Sequence, residues 1–136
     1  YANMLGEKIA KHDVHCWLVN TGWTAGPYGV GKRIEIAHTR AMIHAILRGE
    51  LESAVTTPDP IFGLNIPEAV RDVPSELLNP RNTWKNPEAY DEKARDLAAQ
   101  FIENFKEYSD NVSKEVCAAG PKLDTARPRP TLQRLG

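Results

Sequence analysis

The residues best suited to chemistry lie in one glycine-rich stretch, residues 26–33, with the sequence GPYGVGKR. Glycines let backbone N–H groups approach an anion closely, and Lys32 and Arg33 add two positive charges beside them. This combination is typical of a loop that binds phosphate. From residue types alone, the plainer interpretation is preferred, namely a surface turn with solvated charges, because such loops are common on proteins.

The same stretch nearly matches the phosphate-binding P-loop pattern GxxxxGK[ST], and it follows a predicted strand as that pattern requires. It departs from the pattern at Arg33, where a P-loop has a hydroxyl that holds Mg²⁺. Pro27 also removes one backbone N–H group from the phosphate cradle. We therefore predict that this stretch is not a true P-loop.

Two elements are predicted before this loop. Apolar residues four apart predict a helix over residues 1–11, and an apolar run rich in β-forming side chains predicts a buried strand at residues 14–20. A buried strand needs a neighbour on both edges, whereas the rest of the chain offers only two short candidate strands. We therefore expect a mixed α/β (α+β) fold with an incomplete sheet flanked by helices. The missing strands would come from a longer polypeptide or from a partner.

The elements after the loop are mainly helical. Residues 33–36 alternate polar and apolar like a brief strand, and residues 38–48 form a predicted helix that is packed on more than one side and ends at Gly49. Six prolines between residues 56 and 87 indicate extended chain that supports one short strand, at residues 61–66.

The last long helix is the best marked, because Asn86 is predicted to cap it and Pro87 to occupy its first position. Its apolar stripe, interpreted as core, consists of Ala94, Leu97, Ala98, Phe101, Phe105 and Tyr108. The opposite face, expected to point toward water, carries Asp91, Arg95, Glu103 and Lys106. A shorter helix is predicted at residues 113–119, and a flexible tail at residues 124–136.

Composition limits the possible functions. Seventeen basic and eighteen acidic residues give a net charge of -1, so no overall field attracts nucleic acid or an anionic membrane. There is no apolar run long enough to span a membrane and no secretion signal, which predicts a cytoplasmic protein. The two cysteines, Cys16 and Cys117, and the four histidines lack the spacing of metal ligands, so free thiols and no metal site are expected.

Six short blocks occur in order along the chain. They are WLVNTGW at residues 17–23, GKRI at 31–34, TRA at 39–41, FGLNIP at 62–67, NPRNTW at 79–84 and AGPKL at 119–123. Together they resemble the late segment of ATP-dependent phosphoenolpyruvate carboxykinases. Several blocks in the right order are more specific than any single loop motif, and these cover nearly the whole chain except its tail.

The resemblance implies an enzyme of gluconeogenesis with a two-domain α/β fold, which converts oxaloacetate and ATP to phosphoenolpyruvate, carbon dioxide and ADP with the help of Mg²⁺ and Mn²⁺. Residues 1–123 would be the C-terminal part of its mononucleotide-binding domain. The family's P-loop, metal ligands and oxaloacetate-binding residues precede the matched segment. The resemblance therefore implies no catalytic residue and no metal ligand in this chain, and it makes the preceding part of the same polypeptide the expected partner.

Carried over position by position, the resemblance implies three ATP contacts. Arg33 would contact phosphate and ribose, Ile34 would pack and hydrogen-bond at adenine, and Thr39 would make a second adenine contact. A guanidinium can form two hydrogen bonds to such oxygens, isoleucine offers an apolar platform, and a threonine hydroxyl can donate or accept. Without the resemblance, core packing for Ile34 and a helix cap for Thr39 are the preferred interpretations.

Two other functions remain open. One is a free-standing nucleotide- or phosphate-binding module built on residues 26–33. The other is a non-catalytic interaction domain, in which the last helix docks Phe101 and Phe105 on another protein. As a segment of a carboxykinase, the chain alone is expected to be inactive, because it encodes no P-loop, metal ligand or general base.

Overall fold

A computed structural model of the chain describes residues 1–123, and the flexible tail predicted at residues 124–136 lies outside them. Within the described range, helices surround two small antiparallel sheets of two strands each. The predicted mixed α/β class, with an incomplete sheet flanked by helices, is confirmed. No helix in this range is long and apolar enough to cross a membrane.

The elements follow one another along the chain with short connections. The helices are α1 (Ala2–His12), α2 (Ile36–Leu47), α3 (Ser75–Leu78), α4 (Pro80–Thr83), α5 (Pro87–Phe105) and α6 (Lys114–Ala118). The strands are β1 (Trp23–Thr24), β2 (Lys32–Arg33), β3 (Thr56–Pro58) and β4 (Asn65–Pro67). In the first sheet Trp23 lies opposite Arg33 and Thr24 opposite Lys32, and in the second Thr57 lies opposite Ile66.

Two small clusters of buried apolar side chains form the core. The first contains Ala45, Leu51, Val70 and Val73, and the second contains Ile61, Ala94 and Ala98. The first cluster packs α2 against the segment that leads into α3, and the second holds α5 on the turn before β4. The apolar stripe of α5 is only partly buried, since Leu97 and Phe101 remain 45% and 53% exposed.

The buried strand predicted at residues 14–20 is wrong. The segment is assigned to no strand, and Val14 and Leu18 are 50% and 85% exposed. Trp17 alone of this run packs on the first core cluster. A β-strand requires a neighbouring backbone that accepts and donates its hydrogen bonds, and no segment of residues 1–123 takes that place.

The boundaries around α2 also differ from the prediction. The strand expected at residues 33–36 ends earlier, at Arg33, and the helix begins at Ile36 rather than at residue 38. The predicted end at Gly49 is confirmed, because this glycine adopts a φ of 70° and its N–H donates to the Ile46 carbonyl at 2.9 Å. A left-handed residue at this place is a common helix terminator, and glycine adopts it without steric cost.

The strand predicted at residues 61–66 is wrong for most of its length. The Asp59 carboxylate accepts hydrogen bonds from the N–H groups of Ile61 and Phe62, at 2.9 and 2.7 Å, and so forms a turn. Gly63 completes the turn with a φ of 68°. An aspartate before a glycine favours this local hydrogen bonding over extended pairing, so the strand starts only after the turn, as β4.

The start of α5 is confirmed. The Asn86 side-chain oxygen accepts hydrogen bonds from the N–H groups of Glu88 and Ala89, at 2.9 and 3.3 Å, and Pro87 occupies the first turn. The predicted short helix is also confirmed as α6, with the Ser113 hydroxyl accepting from the backbone of its first turn.

The expectation that Asp91 points toward water is wrong. Asp91 is 6% exposed, and its two carboxylate oxygens accept hydrogen bonds from Nε and Nη2 of Arg81 at 2.9 and 3.1 Å. This carboxylate raises the pKa of Arg81 above its ordinary value, chiefly through the hydrogen bonds. Asp91, Ala94 and Ala98 are the buried residues of α5, and their i, i+3, i+7 spacing places Asp91 on the core face of the helix and not on its polar face. The prediction followed the residue type instead of the spacing, and the sequence contains no local information about a cation on a neighbouring helix.

We expect that Asn86→Ala lowers the free energy of unfolding by about 1 kcal/mol, because two N–H groups at the start of α5 lose their acceptor. Urea denaturation followed by far-ultraviolet circular dichroism measures this. Asn86→Asp keeps an acceptor and should lose little. Asn104→Ala makes the same chemical change inside α5 and serves as the control. An equal loss in both alanine variants would contradict the capping role.

Candidate functional site

The glycine-rich stretch forms a tight loop between β1 and β2. The Pro27 carbonyl accepts hydrogen bonds from the N–H groups of Val30 and Gly31, at 3.0 and 2.9 Å. Gly29 has a φ of 87°, and Ala25 at the start of the loop has a φ of 66° although it carries a side chain. A left-handed conformation is uncommon for a residue other than glycine, asparagine or aspartate, so the loop has a specific shape that surrounding contacts must hold.

Gly31 lies where no side chain fits. A Cβ atom at this position would lie 2.6 Å from the Thr24 carbonyl oxygen and 2.7 Å from the Gly26 carbonyl oxygen. Such distances are well inside van der Waals contact, so the two strands could not approach one another with a larger residue. At the other end of the hairpin, the Ile34 N–H donates to the Gly22 carbonyl at 2.9 Å. The hairpin is therefore closed at both ends.

This geometry differs from that of a P-loop. In a P-loop the lysine follows a glycine-rich turn that opens a helix, so that the helix N-terminus faces the phosphates. Here Lys32 and Arg33 lie on β2 of an antiparallel hairpin, and α2 begins only at Ile36. The two cations are presented on a strand and not at a helix N-terminus.

An open cleft of about 400 Å³ lies between this hairpin and helices α3 and α4. On the hairpin side it is lined by Thr24, Ala25 and residues 32–35, followed by His38 in the first turn of α2. On the other side it is lined by Pro74, Glu76, Leu77, Asn82 and Thr83. The cleft thus combines segments that are about 50 residues apart in the sequence.

Arg33 and Ile34 are brought together at this cleft. Arg33 is exposed and forms no ion pair with another residue of the described range. Ile34 is 8% exposed, so most of its side chain packs inside the fold. An exposed guanidinium thus lies beside a largely buried isoleucine, so Arg33 is the residue of this pair that is freely open to a ligand.

Thr39 does not belong to the residues that line the cleft. It lies one turn into α2, where its N–H donates to the Glu35 carbonyl at 3.2 Å. The alternative interpretation of Thr39 as a helix cap is wrong, because α2 begins three residues earlier and Glu35 occupies the cap position. Its contact with a nucleotide stays a prediction, as do the contacts of Arg33 and Ile34.

The residues of α4 that line the side of the cleft opposite the hairpin were not identified from the sequence. Asn82 and Thr83 lie in and at the end of α4, a single turn of helix that Asn79 caps by accepting from the Arg81 N–H at 3.2 Å. An asparagine before Pro80 is a recognisable helix start. A four-residue helix has no periodicity, however, so this signal alone could not show which element it faces.

The charges in the cleft nearly cancel. Lys32 and Arg33 contribute two positive charges, and Glu35 and Glu76 contribute two negative charges. A nucleoside triphosphate carries more negative charge than two cations neutralise, even without nearby carboxylates. These residues therefore suit one end of such a ligand, and its phosphate chain requires further positive charge from outside the cleft.

Residues 1–123 contain no ready-made cluster of metal-ligating side chains. Within them, no group of three or more histidine, cysteine, aspartate or glutamate side chains lies close enough together to hold a metal ion. Cys16 and Cys117 are both free and exposed.

Comparison with known proteins identifies the family. The family model described as phosphoenolpyruvate carboxykinase matches residues 1–76, which include the hairpin, Arg33, Ile34 and Thr39. The chain belongs to the ATP-dependent phosphoenolpyruvate carboxykinase family. The predicted resemblance is thereby confirmed.

Curated members of the carboxykinase family match beyond residue 76. Phosphoenolpyruvate carboxykinase (ATP) 1 of Salinibacter ruber is 57% identical over 127 residues, which are 93% of this chain and 24% of that protein. The phosphoenolpyruvate carboxykinases (ATP) of Caldanaerobacter subterraneus subsp. tengcongensis and Thermus thermophilus are 59% and 54% identical, over 90% and 91% of this chain. The chain spans about a quarter of the length of these carboxykinases.

We expect that Gly31→Ala opens the β1–β2 hairpin of this carboxykinase segment, because the added Cβ would collide with two carbonyl oxygens. The Ile34 amide, which closes the hairpin, should then exchange its hydrogen faster, by at least about tenfold for a loss near 1.4 kcal/mol. Hydrogen exchange read by nuclear magnetic resonance measures this.

Gly6→Ala is the matched control, since a Cβ on Gly6 in α1 meets no atom within 4 Å. It should leave exchange at Ile34 unchanged. Unchanged exchange in the Gly31 variant as well would show that the hairpin tolerates the methyl group.

Proposed function

We propose that this chain forms one wall of the ATP site in an enzyme that converts oxaloacetate and ATP to phosphoenolpyruvate, carbon dioxide and ADP. Arg33 and Ile34 would contact the nucleotide together with Thr39 of α2. The observation that carries this proposal is the hairpin that holds an exposed arginine beside a buried isoleucine at the cleft, in a chain of the carboxykinase family.

The hairpin suits Arg33 to bind oxygens of the ribose or phosphates. Its guanidinium is exposed and unpaired within the described range, so it is available for two parallel hydrogen bonds with one ligand. The backbone that carries it is fixed by the β1–β2 pairing. A fixed backbone lowers the loss of conformational freedom when the ligand binds.

The backbone of Ile34 limits how it can bind adenine. Its N–H group already donates to the Gly22 carbonyl at 2.9 Å. A hydrogen bond from this residue to adenine would therefore use the Ile34 carbonyl, which can accept from the exocyclic amino group of the base. The part of its side chain at the cleft would contact the flat face of the ring.

The remaining parts of the reaction belong to residues outside this range. The near balance of charge in the cleft means that the phosphate chain needs additional cations, and no metal-binding cluster lies within residues 1–123. When bound, Mg²⁺ or Mn²⁺ would neutralise phosphate oxygens and assist transfer of the terminal phosphoryl group. The role proposed for this segment is binding and orientation of ATP.

Residues 14–20 support a place within a longer polypeptide. Their side chains are mostly apolar or β-branched, yet Val14 and Leu18 face solvent and the backbone pairs with no strand of the described range. Helix α1 likewise has no buried residue. We propose that the preceding part of the same carboxykinase polypeptide pairs with residues 14–20 and covers α1.

The two alternative functions have less support. A free-standing nucleotide-binding module would have to neutralise phosphates with two cations beside two carboxylates. A docking role for the α5 stripe is weakened because Phe62 packs edge-on against Phe101, with ring centroids 6.4 Å apart, so the chain itself covers part of the stripe.

We expect that Arg33→Ala in the full-length carboxykinase weakens ATP binding by about tenfold or more, because a charge-assisted hydrogen-bonding pair is lost. Isothermal titration calorimetry with ATP measures the dissociation constant. Arg71→Ala removes an equal charge from an exposed position outside the cleft and is the control. Unchanged ATP affinity in the Arg33 variant would refute the proposed role.

We expect that the isolated 136-residue chain shows no carboxykinase turnover and no ATP binding at millimolar concentration. Formation of phosphoenolpyruvate from oxaloacetate and ATP, together with calorimetry, measures both. Tight ATP binding without turnover would instead favour the free-standing module, and turnover by the isolated chain would contradict the division of roles.

A further inference from the structure

A single hydroxyl group connects the glycine-rich hairpin to the opposite wall of the cleft. Thr83 Oγ1 accepts a hydrogen bond from the Ala25 N–H at 3.0 Å and donates one to the Pro80 carbonyl at 2.7 Å. The first of these bonds joins residues that are 58 positions apart in the sequence and is partly buried. It is a long-range contact made by one side chain that uses both its donor and its acceptor.

The hydrogen bond to Thr83 is made by Ala25, a hairpin residue whose backbone conformation is strained. Ala25 has a φ of 66°, a left-handed conformation that costs a residue with a Cβ roughly 1–2 kcal/mol. The preceding Thr24 is buried and pairs with Lys32 across the hairpin. A contact that fixes the Ala25 backbone therefore also fixes the adjacent pairing of β1 with β2.

The other end of the bond is rigid. Helix α4 is held to α5 by the two hydrogen bonds between Arg81 and Asp91, and by the edge-on packing of Trp84 on Tyr90 with ring centroids 5.5 Å apart. Thr83 lies between these two contacts in the sequence. Its hydroxyl therefore occupies a fixed position relative to the core around α5.

We propose that Thr83 is a positioning residue for ATP, which holds the β1–β2 hairpin so that Arg33 faces the cleft. The inference rests on the proposed function, since it concerns the same ATP wall. Thr83 acts through the backbone of Ala25 and then through the pairing of β1 with β2, in which Trp23 lies opposite Arg33. This inference assigns α4, on the opposite side of the cleft from the hairpin, a role in ATP binding.

The chemistry requires a hydroxyl at this position. Valine has nearly the same shape as threonine but can neither accept from Ala25 nor donate to Pro80, so a partly buried N–H group would lose its partner. Serine keeps the hydroxyl and loses only a methyl group. The pair of variants Thr83→Val and Thr83→Ser thus separates the hydrogen bond from packing.

The test uses the full-length carboxykinase with ATP and oxaloacetate as substrates. Thr83→Val should raise the KM for ATP by about five- to tenfold, as expected for the loss of one partly buried hydrogen bond, while the KM for oxaloacetate stays within about twofold. Thr83→Ser should restore the KM for ATP to near the wild-type value. Thr56→Val, in β3 and away from the cleft, is the matched control and should change neither constant.

Coupling to Arg33 provides a second readout. If Thr83 acts through Arg33, the double variant Arg33→Ala/Thr83→Val should bind ATP about as weakly as Arg33→Ala alone. The inference would be overturned if the loss of ATP affinity in the double variant equalled the product of the losses in the two single variants. It would also be overturned if Thr83→Val raised the KM for ATP and the KM for oxaloacetate equally. The melting temperature of each variant is measured alongside, to detect general loss of folding.

The outcomes separate the inference from the function on which it rests. If Arg33→Ala weakens ATP binding and Thr83→Val does not, the positioning role is overturned and the ATP wall stands. If Arg33→Ala leaves ATP binding unchanged, both are overturned. Selective weakening in Thr83→Val with rescue by Thr83→Ser supports the inference.

Discussion

The ion pair between Arg81 and Asp91 is the interaction on which the arrangement of the cleft depends. Asp91 is 6% exposed, and a carboxylate so far removed from water is stable only with a partner that satisfies both oxygens. The planar guanidinium does this with two hydrogen bonds, which fix the direction of α4 as well as its distance from α5. Because α4 carries Thr83, the pair also determines where the hairpin is held.

Residues 14–20, in contrast, lack a partner. Their sequence suits a β-strand, but no strand within the described range pairs with their backbone. Backbone N–H and C=O groups that stay paired with water are tolerated at a surface, but a sheet gives them stronger, ordered partners. The same reasoning explains the small core. Side chains such as Val14 and Leu18 could be buried only against chain that lies outside this segment.

Several features that depend on neighbouring residues were predicted correctly, although the local turn at Asp59 was not. Features that depend on distant segments were missed. Asn86 with Pro87 correctly predicted the start of α5, and Gly49 correctly predicted the end of α2. The strand at residues 14–20 was wrong because pairing depends on another segment. In the cleft, Arg33 and Ile34 were selected by family resemblance, whereas Thr83 has no local pattern that distinguishes it from any other threonine in a short turn.

The loop that departs from the P-loop sequence pattern at Arg33 also departs from P-loop geometry. A P-loop presents backbone N–H groups and a helix N-terminus to phosphate, and its hydroxyl holds a metal ion beside them. In this hairpin Lys32 and Arg33 lie on a short strand, and Ile34 follows directly behind the arginine. Ile34 lies just past the end of β2, so the alternation of strand side chains does not separate it from Arg33, and both residues line the cleft. Such an arrangement suits the base and sugar of a nucleotide better than its terminal phosphate, where the chemistry takes place.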